Sequence, residues 1–321
     1  MDLSPLVRTR MAFIFPGQGS QVVGMGRDLY ETFPAARHIF DQADEVLEFP
    51  LSRLCFEGPE EDLKQTINTQ PAVLTASIAC LEAVREAGLG HLTPAYVAGH
   101  SLGEYTSLVA AGALDFPQAV MLVRERGRLM QEASQQKVGG MLAVLGLPEE
   151  KLQEVCQVSG AQVANFNCPG QIVLSGTEEA LVRAREAALA RGARRVIPLD
   201  VSGPFHSSLM RRALRALAEK LSSLRFRHPR VPIVANATAQ ALTSPEAVHQ
   251  ELRTQLCHPV RWQGSVEYMA KHGVGTFVEL GPSPVLSGLI ERTDPQVQAF
   301  CISDLASLEK AKLRLSTSPP E

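Results

Sequence analysis

An α/β fold, with a mostly parallel sheet and one small inserted unit, is what this sequence predicts, and three observations predict it. Short apolar segments alternate with amphipathic helical stretches along most of the chain, as in strands joined through crossover helices. A glycine-flanked turn, Gly99-His100-Ser101-Leu102-Gly103, joins one apolar segment to an Ala/Leu-rich one. From Met141 to Leu199 the order becomes strand, helix, strand, strand, helix, strand, which is the ferredoxin-like order.

Met11–Phe15 reads as a buried first strand ended by Pro16, and Ile39, Phe40, Ala43, Val46 and Leu47 share one helical face. Pro71 reads as the opening of a helix carrying Val73, Leu74, Ile78, Leu81 and Val84. Pro94–Ala98 reads as a strand and Glu104–Leu114 as a helix, with Pro117 in the first turn of the next, which ends near Met130. Gln135–Gly140 is a polar, glycine-bearing break. Beyond it, 141–147, 162–166, 172–175 and 195–199 read as strands, and 149–158 and 178–191 as helices. The large pattern resumes with the leucines from Leu209 to Leu224, strands at 231–235 and 276–280, and a helix from Val285 to Glu291. The expected division is a large subdomain over 1–137, a small ferredoxin-like subdomain over 138–201 and the rest of the large one over 202–321, with the tail fraying from Leu313.

With 45% apolar and 20% charged residues among 321, the chain has an ordinary globular profile and length for a sizeable core. A net charge of −3 argues against a nucleic-acid binder. The charge is uneven: Arg183–Arg230 holds twelve Lys/Arg and three Asp/Glu, which suits either a solvated face or a dock for an acidic partner. Six scattered cysteines form no Cys-x-x-Cys pair, which disfavours a zinc or redox motif and suits a reducing cytoplasm. The first ten residues lack the apolar stretch of a signal peptide, and no run is long enough to span a membrane.

Gly-x-Ser-x-Gly occurs by chance, so its strand-turn-helix setting is what gives it meaning. That setting is a nucleophile elbow, which presents Ser101 at a helix start beside free backbone N–H groups. A serine nucleophile needs a base. His206, in Ser202-Gly203-Pro204-Phe205-His206-Ser207, follows the insert and precedes a helix, at a junction where clefts form. Taken alone such a histidine is more often a helix-start or core residue; paired with Ser101 it becomes the candidate base. His100 is adjacent to Ser101 and points elsewhere. Asp200 is the nearest acid to His206, but nothing places it in a triad, which counts against a plain esterase. Arg124-Glu125-Arg126-Gly127-Arg128-Leu129-Met130 is an exposed basic helix face, or one of its arginines sits in a cleft and holds a carboxylate bidentately. Phe15-Pro16-Gly17-Gln18-Gly19-Ser20-Gln21 fails the dinucleotide-binding spacing, because Val22 stands where a third glycine belongs; its Gln18 N–H suits an oxyanion hole.

The motifs at 15–21, 99–104 and 126–130 are followed by Asn-x-Asn-x-Pro-Gly-Gln at 165–171 and Gly-Pro-Phe-His-Ser at 203–207. Gln-Leu-x-x-Pro-Val-x-Trp at 255–262 and Glu-Leu-Gly-Pro at 279–282 complete the series. In this order they resemble the malonyl-CoA:acyl-carrier-protein transacylase family of type II fatty acid synthesis, over about residues 11–303. The resemblance implies an α/β-hydrolase-like core with the active site between it and the ferredoxin-like insert. It implies Ser101 as nucleophile, His206 as base, and a backbone carbonyl at Gln255, in place of an acid, orienting the histidine. The oxyanion hole falls to the N–H groups of Gln18 and Leu102, and Arg126 grips the malonyl carboxylate. Met130, Phe205, Gln255 and Asn165 join the substrate-binding set, Phe205 crowding an α-methyl branch. Whether Asn165 and Asn167 shape the gorge or close a turn is left open.

The implied chemistry is ping-pong transfer from malonyl-CoA to the phosphopantetheine thiol of acyl carrier protein, with both as substrates and no metal or redox cofactor. Carrier proteins of this pathway are acidic, which offers a docking role for Arg191, Arg194, Arg195, Arg211 and Arg212. A cytoplasmic monomer is expected. The rivals are a free-standing acyltransferase serving a polyketide synthase, which carries nearly the same motifs, and an acyl-ester or thioester hydrolase, which gives no reason for Arg126. A non-catalytic carrier-binding module would tolerate loss of Ser101 or His206, and both are present.

Overall fold

The structure is a computed structural model that describes residues 9–136 and 139–316. The expected boundary at 137/138 lies outside the described residues, as do residues 1–8 and the last five positions. The first half runs β1 (Arg10–Phe15), α1 (Arg27–Thr32), α2 (Pro34–Leu47), α3 (Leu51–Glu57), α4 (Glu60–Lys64), α5 (Thr66–Val84), β2 (Tyr96–Gly99), α6 (Leu102–Ala110) and α7 (Phe116–Gln136). Then come β3 (Gly139–Leu145), α8 (Glu149–Ser159), β4 (Gln162–Cys168), β5 (Gln171–Thr177), α9 (Glu178–Ala190) and β6 (Arg195–Pro198). The chain ends with α10 (Arg211–Ser222), β7 (Ile233–Val234), β8 (Ala241–Leu242), α11 (Pro245–Leu252), α12 (Trp262–Lys271), β9 (Val274–Leu280), α13 (Ser287–Thr293), β10 (Gln298–Ile302) and α14 (Leu305–Ser316).

Two sheets organise these elements. The larger has the order β10-β9-β1-β2-β7-β8, parallel throughout except for β8. Phe13 and Phe15 of β1 join one core cluster while Ala12 and Ile14 join another, so both faces of the sheet are covered, as a parallel sheet requires. The smaller sheet, β4-β5-β3-β6, is antiparallel and carries α8 and α9 against its own core around Leu142, Leu174 and Ala184. This is the expected ferredoxin-like arrangement. Its strand β4 is tied back to the larger unit: Phe166 N–H donates to the carbonyl of Val260, and Val260 N–H to that of Ala164, both at 2.8 Å. That tie sets Asn165 beside the elbow.

Three local expectations change. The helix bearing Pro71 starts at Thr66, so Pro71 is interior; Asn68 and Thr69 already bond back to the carbonyl of Gln65. Its first turn is polar in sequence yet buried, because it packs on α7, where a Cβ on Gly127 would lie 2.6 Å from the carbonyl oxygen of Thr66. Helix α7 runs past Met130 to Gln136, since Ala133 and Ser134 continue its buried face and Ser134 Oγ bonds the carbonyl of Met130. Leu313 lies inside α14, which continues to Ser316. Among the described residues no helix is long and apolar enough to cross a membrane.

Candidate active site

Ser101 stands between β2 and α6 with φ 52° and ψ −100°, a conformation a serine holds only when its surroundings enforce it. The flanking glycines let three segments meet. A Cβ on Gly99 would lie 1.9 Å from the carbonyl carbon of Gly103, and one on Gly103 would lie 2.0 Å from the carbonyl oxygen of Phe15. Asn236, just after β7, holds the turn from outside. Its Oδ1 accepts the N–H of Ser101 and its Nδ2 donates to the carbonyl of Gly99, each at 2.7 Å. The Ser101 N–H is thus occupied. The N–H of Leu102, the first residue of α6, is the donor left for an oxyanion on this side.

His206 also has a positive φ, 55°, and is buried. Its Nε2 lies 2.7 Å from Ser101 Oγ. Its Nδ1 lies 3.1 Å from two backbone carbonyls, those of Gln255 and His258. Both are acceptors, so Nδ1 carries the proton and Nε2 presents its lone pair to the serine. Gln255 was legible in the sequence; the second carbonyl, at His258, was not. Burial first, then the charge of Arg126 and the nearby His100, hold the His206 pKa down at about 3. Asp200 is 93% exposed, beside Lys64, and takes no part in the dyad.

Arg126 is buried on α7. Its Nη1 donates to Gln70 Oε1 at 2.8 Å, and its Nη2 reaches Ser101 Oγ and Gln255 Oε1, each at 3.1 Å. The guanidinium also lies 5.2 Å from the centre of the Tyr105 ring. Among the described residues no carboxylate forms an ion pair with it. A buried cation held by neutral amides beside a serine hydroxyl is a ready site for an acyl group that carries its own carboxylate.

A cavity of about 330 Å³ opens over this group. Gln18, Leu102, Met130, Asn165 and Phe205 all line it together with Ser101, His206 and Arg126. Gln255 does not line it; it sits behind the wall, tying Arg126 to His206. Asn165 and Asn167 approach the elbow through His100, whose Nε2 is 3.0 Å from Asn167 Oδ1 and 3.1 Å from Asn165 Nδ2. The His100 ring rests edge-on against Trp262, and His100 lines the cavity together with Ser101 and His206. A larger depression, of about 1200 Å³, lies by Arg10, His91 and Thr276 at the other end of the sheet and holds none of these groups.

A strand-elbow-helix serine, a neutral histidine accepting from it and a buried unpaired cation define an acyl-transferring site with a place for an anionic acyl group. Residues 12–311 match the acyl transferase domain family model, and the chain belongs to that family. It is 47% identical over 308 residues to the malonyl CoA-acyl carrier protein transacylase of Bacillus subtilis (strain 168), covering 94% of this chain and 96% of that protein. Its identity to the enzyme of the same name from Escherichia coli (strain K12) is 42% over 307 residues, 94% of this chain and 99% of the relative. The crystal structure of an acyl carrier protein S-malonyltransferase from Vibrio cholerae O1 superposes with a TM-score of 0.91 at 42% identity, over 95% of this chain and all of that one. A malonyl-transacylase solved in complex with its type II polyketide acyl-carrier protein gives a TM-score of 0.92 at 42% identity, with the same coverage.

Proposed function

We propose that this chain moves a malonyl group from malonyl-CoA to the phosphopantetheine thiol of acyl carrier protein, as an acyl carrier protein S-malonyltransferase supplying fatty acid synthesis. The observation that carries the reading is Ser101 Oγ held between His206 Nε2 at 2.7 Å and the guanidinium of Arg126 at 3.1 Å. In this reading His206 Nε2 takes the hydroxyl proton as Ser101 Oγ attacks the thioester carbonyl. The N–H groups of Leu102 and Gln18 hold the oxyanion while Arg126 grips the far carboxylate. The intermediate collapses, the C–S bond breaks, and His206 returns the proton to the departing CoA thiolate. The malonyl ester on Ser101 is then taken by the carrier thiol, His206 again accepting and returning one proton. Each step exchanges an acyl group between oxygen and sulfur, so neither metal nor redox cofactor is called for. Phe205 narrows the cavity against an α-branched acyl group.

The same reading makes the protein a cytoplasmic monomer whose basic stretch receives the acidic carrier. Arg194, Arg195, Arg211 and Arg212 are exposed there, Arg212 near Gln136, while Arg191 is half-buried and already paired with Glu154 at 3.0 Å. A polyketide carrier is the second reading, favoured by the similarity to the malonyl-transacylase solved with such a partner. The test is to supply malonyl-CoA with phosphopantetheinylated carrier protein and weigh the products. Malonyl-carrier formed in step with free CoA supports the transfer; release of free malonate in its place identifies a hydrolase.

A further inference from the structure

The motif at 99–104 ends in a residue that the transfer chemistry leaves unused. Glu104 lies fully buried in the first turn of α6. Its Oε1 accepts the backbone N–H of Asn236 at 2.9 Å, and its Oε2 accepts Nε2 of Gln255 at 2.7 Å. The same Nε2 donates to the carbonyl of Ser101 at 2.7 Å. On its other side, Gln255 Oε1 faces Arg126 Nη2 at 3.1 Å. The groups at Nε2 are acceptors and the guanidinium carries only donors, so the Gln255 amide fits in one sense only. The last torsion of a glutamine is soft. Without the carboxylate at 104, less would stop the amide from turning over, and its NH2 would then face the cation.

An amide at position 255 also keeps Arg126 available. A carboxylate there would pair with the guanidinium directly and occupy the cation that the substrate needs. Glu104 stands one side chain further back, behind the Gln255 amide, with its pKa pushed up by burial and by nearby Glu251, and leaves the cavity side of the guanidinium open.

We propose that Glu104 is a positioning residue that sets acyl specificity: through the Gln255 amide it aims the Arg126 guanidinium at the carboxylate of the incoming acyl group. The inference rests on the reading of Arg126 as the carboxylate grip. Glu104 also steadies the elbow through Asn236, but a disturbed elbow slows every acyl donor alike. The ratio of malonyl to acetyl transfer separates the two effects.

The experiment measures rate constants for acylation of the serine by malonyl-CoA and by acetyl-CoA in the native protein, Glu104→Gln, Arg126→Ala and the double variant. Glu104→Gln is expected to lower the malonyl-to-acetyl ratio at least about tenfold. Adding it to Arg126→Ala is expected to change the malonyl-to-acetyl ratio less than about threefold, because both set that ratio through one group. Equal slowing of both donors by Glu104→Gln, or effects on the malonyl-to-acetyl ratio that multiply in the double variant, would overturn the proposal. If Arg126→Ala itself left the ratio unchanged, the carboxylate-grip reading would fail and take the proposal with it. Should Glu104→Gln melt without cooperativity, Glu104→Gln/Gln255→Glu keeps one carboxyl and one amide in the pair but moves the carboxyl onto Arg126. That variant is expected to fold and to lose malonyl preference; a native ratio there would overturn the proposal.

Discussion

Ser101 and His206 meet at 2.7 Å although both hold backbone conformations uncommon for their residue types, with φ of 52° and 55°. The two strained turns lie 105 residues apart and are fixed by different parts of the molecule, one by Asn236 and the Gly99/Gly103 approaches, the other by the carbonyls at 255 and 258. Strain kept at both halves of one hydrogen bond means that the surroundings, rather than local preference, hold the pair ready. Removing the base should therefore cost catalysis more than stability. His206→Ala is expected to slow serine acylation by about 10²–10⁴-fold, the usual worth of a positioned base, with a cooperative melt retained. Stopped-flow release of CoA measures it.

Arg126→Ala is expected to lower malonyl transfer by about 10²-fold, in line with loss of a charge-assisted bidentate contact. Acetyl transfer should rise relative to it, because the uncharged acyl group gains room and loses no partner. Competition between the two CoA esters for one enzyme sample reads the ratio directly.

Gly127→Ala tests why a glycine follows the arginine. The new methyl would sit 2.6 Å from the carbonyl oxygen of Thr66, pushing α7 from α5 and Arg126 from Gln70. A loss of about 1–3 kcal/mol in denaturant unfolding is expected, the usual range for overpacking, together with a higher KM for malonyl-CoA.

The pH dependence follows from His206. Its pKa is about 3 in the fold, against an ordinary 6.5, chiefly because it is buried. Between these values the unfolded chain takes up a proton that the folded one refuses, so stability falls as pH drops from about 6.5 toward 3. Above that window the histidine is neutral in both states and contributes no slope. Urea midpoints followed downward from about pH 7 should decline less steeply in His206→Gln than in the native protein.

Charge reversal at Arg194, Arg195 and Arg211 is expected to raise the KM for carrier protein at low ionic strength and to matter less as salt is added. An unchanged KM at low salt would exclude this face as the dock.

Much of this was legible in the sequence because the chemistry is punctuated by small residues. Glycines mark the elbow, the Phe-Pro-Gly-Gln segment and the turn before His206, and each motif lies where one element ends and another starts. What could not be read is what holds those residues. Asn236, Glu104, Gln70 and His258 act across separations of 52 to 151 positions, which no local pattern reveals. The missed elements have similar causes. Strand β10, Gln298–Ile302, is a half-buried edge without clean alternation, and the first turn of α5 is polar because Asn68 and Thr69 bond the carbonyls of Asp62 and Leu63.

The central claim is a covalent malonyl ester on Ser101. Intact-protein mass spectrometry after brief mixing with malonyl-CoA, without acceptor and with peptide mapping, tests it most directly. One malonyl adduct on the peptide bearing Ser101, discharged when phosphopantetheinylated carrier protein is added, is the expected result. No adduct, with steady release of free malonate, would contradict it.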